Sequence, residues 1–381
     1  MFWIIGGEEV AKALEPMRGG PLLSIFTEQL KHVEWVGFHF FDGIFPLFLF
    51  LMGVSIVLSM DRMISTAGCQ GAVMRIVKRS VLLFVVGMFY YGGLSRAWPD
   101  VQLMGVLPRI ALCYLAGASL YMMLPRKGIA VAAVMCLVAY WAAMTFVPFP
   151  DVNLSHGTLG KKGSQADMKP PAVMLAGVTQ SVSGIFEEGR NLAHYVDYRW
   201  LPGKKRNLYY TNEGLFSTIP ALATTLFGIM AGCLLTNNRL TPKQKITCLL
   251  GAGAAGIALG LLWGLQFPVI KRIWTSSFCL VASGFASMML ATFYLIVDVW
   301  RWQKWCTPFL WIGSNALAAY LVVNLVDFPA IAARFVGGDV EVFLDEHVAM
   351  GMGGLLIALV GLALPVLLVR FLYQKKIFIR L

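Results

Sequence analysis

Charge is what this chain has least of. Asp, Glu, Lys and Arg make up 13% of its 381 residues, roughly half the share of an ordinary soluble domain. A solvated surface over most of the chain is therefore excluded. Acidic residues are the scarcer sign, 20 against 31 basic ones, for a net charge of +11. That excess does not point to nucleic acid, because the cations fall in short loops between apolar runs, where they set topology. The seven cysteines, at 69, 113, 136, 233, 248, 279 and 306, are scattered, with no C-x-x-C pair. Neither a disulfide framework nor a zinc site is encoded, and they read as small buried hydrophobes. The opening M-F-W-I-I-G-G-E-E-V lacks a basic region and an A-x-A-like cleavage site. It reads as the back half of a membrane helix, since Met1 to Gly7 is too short to span alone. No internal repeat is evident, which weighs against inverted-repeat transporters. The run G-A-G-A-A-G-I-A-L-G (251–260) has no strand before it and no Lys-Ser/Thr after it. It reads as close helix packing, not as a phosphate loop.

Long apolar runs are what the chain has instead: 58% of its residues are hydrophobic and its mean hydropathy is +0.71. The fold class is all-α, a polytopic transmembrane helical bundle of about nine full spans plus a partial N-terminal helix. The spans fall near 40–60, 80–95, 103–124, 128–148, 214–235, 246–266, 275–299, 306–327 and 349–372. Residues 1–381 form a single transmembrane domain in this reading. Five basic groups fall on one side if the nine spans alternate. They are Arg62 with Arg75, Lys78 and Arg79; Arg126 with Lys127; Arg239 with Lys243 and Lys245; Arg301 with Lys304; and the tail with Lys375, Lys376 and Arg380. The opposite loops carry fewer: Arg96, Lys271 with Arg272, and Arg334. By the positive-inside rule the C-terminus is cytoplasmic, and His32 and the loop 149–212 face outward. The early part of that loop, with G-K-K-G-S and K-P-P, reads as flexible. Its later part, His194 to Pro202, combines two tyrosines, a tryptophan and paired charges. Such a mix suits closure over a carbohydrate or an interfacial aromatic belt.

Candidate chemistry clusters between Leu30 and Met60. His32, Glu34, Trp35, His39 and Asp42 lead directly into an apolar run long enough to cross a bilayer. Imidazole titrates near neutrality, and a carboxylate can fix its tautomer and support the imidazolium. His32 and Asp42 lie ten residues apart with Gly37 between them, so contact between them is plausible. His39 is the other candidate partner, although Phe38, Phe40 and Phe41 around it suggest interfacial placement. Arg109 sits well inside a span and needs a cavity, a carboxylate such as Asp42, or a phosphate. Asn315 is a second intramembrane polar residue; interhelical hydrogen bonding is its default role and lining the site the alternative. Lys271, Arg272 and Trp274 flank the 275–299 span, with Trp274 read as an anchor. Arg79, with Arg75 and Lys78, is the nearest dense basic cluster to the first full span. Its cations suit a polyanion or plain topology setting.

The stretch H-V-E-W-V-G-F-H-F-F-D-G-I-F-P-L-F-L-F-L-M-G (32–53) resembles a family signature. It is the H-x-x-W-x-G…D-x-x-F-P-x-F-x-F-x-x-G pattern of heparan-α-glucosaminide N-acetyltransferase and its bacterial relatives. The resemblance continues through K-R-S-V-L-L-F (78–84), M-G-V-L-P-R-I-A-L-C-Y (104–114) and Y-T-N-E-G-L-F-S-T-I-P-A-L-A-T-T-L-F-G-I-M-A-G (210–232). It then runs through K-R-I-W-T-S-S-F (271–278), G-S-N-A-L-A-A-Y (313–320) and K-K-I-F (375–378). It therefore covers nearly the whole chain in order. It implies a membrane acetyltransferase that moves an acetyl group from cytoplasmic acetyl-CoA to the amino group of an amino sugar or glycan end on the far side. His32 matches the family's active histidine. The family's early asparagine is replaced by Ile5, so its role is vacant or passes to Glu8 or Glu9. Pro108 stands where the family has Gln before the intramembrane Arg, and the L-D-x-x-R-G start is absent. The resemblance further implies the inner membrane of a bacterium, no metal, and no nucleic-acid partner. A homodimer is compatible with it. The expected site is His32 and Asp42 for catalysis, with Glu8, Glu34, Trp35, Arg79, Arg109, Lys271, Trp274 and Asn315 toward substrate or donor. The rival reading is a sugar or anion transporter that uses Arg109 and Asp42. A catalytically inert scaffold is a third.

Overall fold

The computed structural model describes every residue except 18, 19, 96, 153, 155–172, 174, 208, 380 and 381. The G-K-K-G-S and K-P-P stretches, Arg96 and Arg380 lie outside the described residues. In chain order the helices are α1 (Glu8–Leu14), α2 (Pro21–Gln29), α3 (Ile44–Tyr90), α4 (Val106–Met123), α5 (Arg126–Phe146), α6 (Leu192–Trp200) and α7 (Thr218–Leu235). They continue as α8 (Pro242–Gly264), α9 (Ser276–Phe293), α10 (Thr307–Ser314), α11 (Ala316–Leu325), α12 (Phe328–Val336), α13 (Asp339–His347) and α14 (Met352–Gln374). Two short antiparallel ladders accompany them. One pairs β1 (Phe149–Pro150) with β2 (Ser181–Val182), the other β3 (Phe186–Glu187) with β4 (Arg190–Asn191).

Among the described residues, seven helices are long and apolar enough to cross a membrane, or eight if a bent pair counts as one. The all-α polytopic class stands, with seven or eight such helices where about nine spans were expected. The expected span 80–95 is the far half of α3, a 47-residue helix interrupted at Gly68, where φ is 67°. Arg62, Arg75, Lys78 and Arg79 therefore sit on helix and not in a loop. The expected span 306–327 is broken. Lys304–Ser314 and Ala316–Leu325 meet at an angle of 69°, with Asn315 at the break. The segment 149–212 carries α6 and both ladders.

The chain divides into two compact units. One comprises residues 1–32, 39–44 and 296–381; the other comprises 33–38 and 45–295. In the second unit, helices approach through glycine. A Cβ on Gly228 of α7 would lie 1.9 Å from the Phe50 carbonyl oxygen of α3. The 251–260 run packs α8 on α9: a Cβ on Gly253 would lie 2.8 Å from Gly284 O. Small residues therefore replace interior bulk where apolar lipid offers no drive for helix association. In the first unit, Ile5, Ile312, Ala319 and Val369 form a small core joining the N-terminal turn to α10, α11 and α14.

Candidate functional site

His32 follows the end of α2, and Asp42 sits in the single 3-10 turn Phe40–Gly43 that leads into α3. That turn is tied down from both sides. Asp42 Oδ2 accepts the His39 backbone N–H at 3.1 Å, and Gln29 Oε1 accepts the Phe40 N–H at 3.1 Å. Capping of this kind satisfies backbone donors that the turn leaves open and fixes the carboxylate in place. The other carboxylate oxygen, Oδ1, lies 2.8 Å from His32 Nδ1. Asp42 is 1% exposed and the His32 side chain 51% exposed. The ring also leans on Phe41, with centroids 4.6 Å apart. An Nδ1–H donated to the carboxylate leaves the imidazole lone pair on Nε2. His32 lies on a cleft whose lining includes Glu8, Lys12, Glu15, Thr27 and Phe41, with Asp42 buried behind it. The charges there are balanced: Lys12 pairs with Glu8 and Lys31 with Glu15, each at 3.0 Å. Sequence alone had left the histidine's partner open. The structure gives the Asp42 carboxylate the ring of His32 and only the backbone of His39, whose own ring meets Lys31 O at 3.2 Å.

A second constellation surrounds Arg109, which is fully buried in α4. Its Nη2 donates to Asn212 O at 3.2 Å, to Gly214 O at 3.1 Å and to Ser217 Oγ. The guanidinium lies 5.1 Å from the ring centre of Trp274, a cation–π distance. Its Nε and Nη1 find no hydrogen-bond partner among the described residues. Among the described residues the hydrogen-bond partners of Arg109 all belong to one loop, and Asp42 is not one of them. From the opposite side, Asp197 of α6 accepts Leu215 N–H at 3.0 Å and Thr211 N–H at 3.4 Å. Loop 211–217 is held like a plate, amides on Asp197 and carbonyls on Arg109. Gly214 is obligatory there, since a Cβ would lie 1.9 Å from Asp197 Oδ2. Burial pushes the Asp197 carboxyl up to about 7, against the Leu215 and Thr211 N–H bonds and the charges of Arg109 and Lys205.

A third group joins Trp35 to the 186–210 region. Trp35 Nε1 donates to Phe186 O at 2.9 Å, and the ring packs edge-on to His194. His194 stacks on Tyr210 at 3.7 Å, and Tyr210 Oη donates to Glu188 at 2.7 Å. Arg272 Nη1 donates to the same Glu188 oxygen at 2.6 Å. Burial, aided by Arg272, pushes His194 down to about 3, so it is neutral at physiological pH. Its Nδ1 accepts Gly189 N–H at 3.0 Å, so Nε2 carries the proton. The stretch 194–202 is thus largely a packed aromatic layer.

The remaining expected residues scatter. Trp274 is 1% exposed and donates to Thr224 Oγ1 at 3.2 Å, so it is core and not an interfacial anchor. Asn315 is buried. Its side chain holds the tail, through Ile377 O at 3.1 Å and Ile379 N at 3.0 Å. Arg79 is exposed and lies over the Tyr114 ring at 4.7 Å. Glu34 is exposed and Lys271 half-buried. Sequence reasoning missed Asp197, Glu188 and Ser217. For Asp197 the available signal was an acid inside the aromatic run Y-V-D-Y-R-W. Among the described residues, no three His, Cys, Asp or Glu side chains gather as metal ligands.

Seven apolar helices and a half-exposed histidine–carboxylate pair define a multi-pass membrane protein with a candidate acid–base site. Over 91% of its length the chain is 26% identical to heparan-alpha-glucosaminide N-acetyltransferase of Homo sapiens, and 27% identical to the Mus musculus protein of that name. The chain is a distant relative of that transferase family. It spans 55% of the human protein and 56% of the mouse protein, little more than half of each. Residues 24–153, which include His32, Asp42 and Arg109, match a family described as a domain of unknown function, DUF5009.

Proposed function

We propose that the protein is a transmembrane N-acetyltransferase that takes the acetyl group of acetyl-CoA, supplied from the cytoplasm, to the amino group of an amino sugar on the outer face. The observation that carries this reading is the 2.8 Å contact between His32 Nδ1 and buried Asp42, with the imidazole half exposed on a cleft. The similarity to named acetyltransferases supports it.

An amino sugar arrives as an ammonium ion and must lose a proton before its nitrogen can attack. His32 Nε2 accepts that proton, and Asp42 stabilises the imidazolium without moving. The amine nitrogen then bonds to the thioester carbonyl carbon, the C–S bond breaks, and the imidazolium proton goes to the departing sulfur; the proton left on the acylated nitrogen passes to the regenerated imidazole and from there to water. In a variant order, Nε2 attacks the carbonyl first, and an acetyl-imidazole passes the group on. Either order uses the same tautomer. The rival transporter reading needs Arg109 to face a passage, whereas its known partners are loop carbonyls.

Sealed vesicles test the proposal. Inside-out vesicles with glucosamine in the lumen should release free thiol from external acetyl-CoA; right-side-out vesicles should not. Sugar exchange without thiol release would instead support a carrier. Thiol release in the opposite orientation would reverse the sidedness.

A further inference from the structure

Among the described residues, three other than glycine adopt a left-handed backbone: Trp274, Arg301 and Lys376, at φ 51°, 56° and 56°. Side chains rarely take that conformation, and helices that end on it normally use glycine there. Trp274 is a core residue. The other two are exposed cations, each two residues past the end of a membrane-length helix, Val299 in one case and Gln374 in the other.

Both turns are hydrogen-bonded back to the helix they follow. At the end of α14, Lys376 N–H donates to Tyr373 O at 3.0 Å and Ile377 N–H to Leu372 O at 2.9 Å, the paired bonds of a Schellman turn. After the π-helical turn Tyr294–Val299, Trp302 N–H reaches Ile296 O at 3.0 Å and Gln303 Nε2 reaches Val297 O at 3.1 Å. These are fixed turns that display a cation where glycine would fit with less strain. The first displays more: Trp300 and Trp302 are 65% and 62% exposed on either side of Arg301.

The first turn leads toward α10 and the second closes α14, and these two helices pack together. Arg370 of α14 lies over Trp311 of α10 at 5.0 Å, and the neighbours Ile312 and Val369 share one core. Asn315 then holds the returning tail. Lys304 and Lys375 add two exposed cations. Among the described residues none of these four has a carboxylate partner, although Lys12 and Lys31 of the same unit are both paired.

We infer that Arg301, Lys304, Lys375 and Lys376, flanked by Trp300 and Trp302, form a docking surface for the headgroups of anionic lipid at one membrane face. Exposed tryptophan suits the headgroup level. Arg301, Lys375 and Lys376 follow helix C-termini, where a cation suits the helix dipole, and all four cations suit anionic phosphate. This surface does not depend on the acyl chemistry.

The test measures melting of the purified chain in neutral detergent with added lipid. Phosphatidylglycerol should raise the melting point in a salt-sensitive way, and phosphatidylcholine should not. Arg301→Gly with Lys376→Gly removes two cations and installs the residue each turn prefers, so lipid-free melting should hold or rise. The half-saturating phosphatidylglycerol concentration should increase roughly 25-fold, at about fivefold per cation. If that variant does not fold, Lys304→Gln with Lys375→Gln, at ordinary backbone angles, should show a similar loss. An unchanged lipid response in the variant that folds overturns the inference. An equal response to phosphatidylcholine does the same. Equal stabilisation by inorganic phosphate or coenzyme A would make this a soluble-phosphate site and also overturn it.

Discussion

His32 and Arg109 are both polar groups in a chain that has few, and they are treated in opposite ways. His32 sits at a unit's surface, 51% exposed, on a carboxylate already fixed by backbone N–H. Arg109 is fully buried, with one nitrogen spread over two carbonyls and a hydroxyl. The first arrangement keeps a titratable ring in reach of solvent while its partner is immobile, which is what proton transfer needs. The second spends a permanent charge on holding one loop, with Asp197 gripping that loop's amides from the other side. The exposed pair is within reach of water, and the buried charge organises backbone.

The largest effect should come from the exposed pair. His32→Ala should abolish acetyl transfer while the protein still melts as wild type. Asp42→Asn should lower the rate by about 10²–10⁴-fold, the usual cost of disabling acid–base catalysis, because the amide no longer enforces the Nδ1–H tautomer. Full activity in His32→Ala would remove the ring from the mechanism. If Asp42→Asn only reduced folded yield, the carboxylate would be a structural cap.

Arg109→Lys should show the opposite profile. It keeps the charge but loses the planar fork, so bonds to Asn212, Gly214 and Ser217 cannot all be kept. The expected loss is about 3 kcal/mol of stability, at roughly 1.5–3 kcal/mol for each charged hydrogen bond broken. Activity per folded molecule should stay within a fewfold. A tenfold loss of acetyl-CoA affinity at unchanged melting would make Arg109 a donor contact and erase the contrast.

The smallest effect concerns Asp197 and His194 in the second unit. A carboxyl raised by burial to about 7 stabilises the fold fully below its unfolded value, about 4, and that contribution is lost as pH rises through 7. His194, lowered to about 3, gives the reverse: its contribution is full above about 6.5 and is lost as pH falls toward 3. Asp197→Asn should therefore flatten the decline in melting temperature between pH 4 and 7 and leave the rise contributed by His194. An unaltered decline would show that Asp197 is not the titrating group.

Much of this was legible in the residues. Scarce charge and long apolar runs determined a membrane helical bundle, because a backbone in lipid must satisfy its own hydrogen bonds. The segment 30–60 singled out His32 and Asp42, because acid–base residues beside an apolar run are costly without a use. The glycine run 251–260 was rightly read as packing. Hydropathy does not register a bend inside an apolar run, so the break at Asn315 went unseen, and the basic residues between 62 and 79 were read as a loop where the structure has helix. Only the tertiary structure decided partners. It gave Asp42 to the ring of His32 across ten residues, gave Arg109 the carbonyls of residues 212 and 214, and placed Trp274 in the core. The local pattern shows that a buried polar group needs a partner. Which partner it takes depends on long-range packing that brings distant backbone within 3 Å, and no periodicity in the chain encodes that choice.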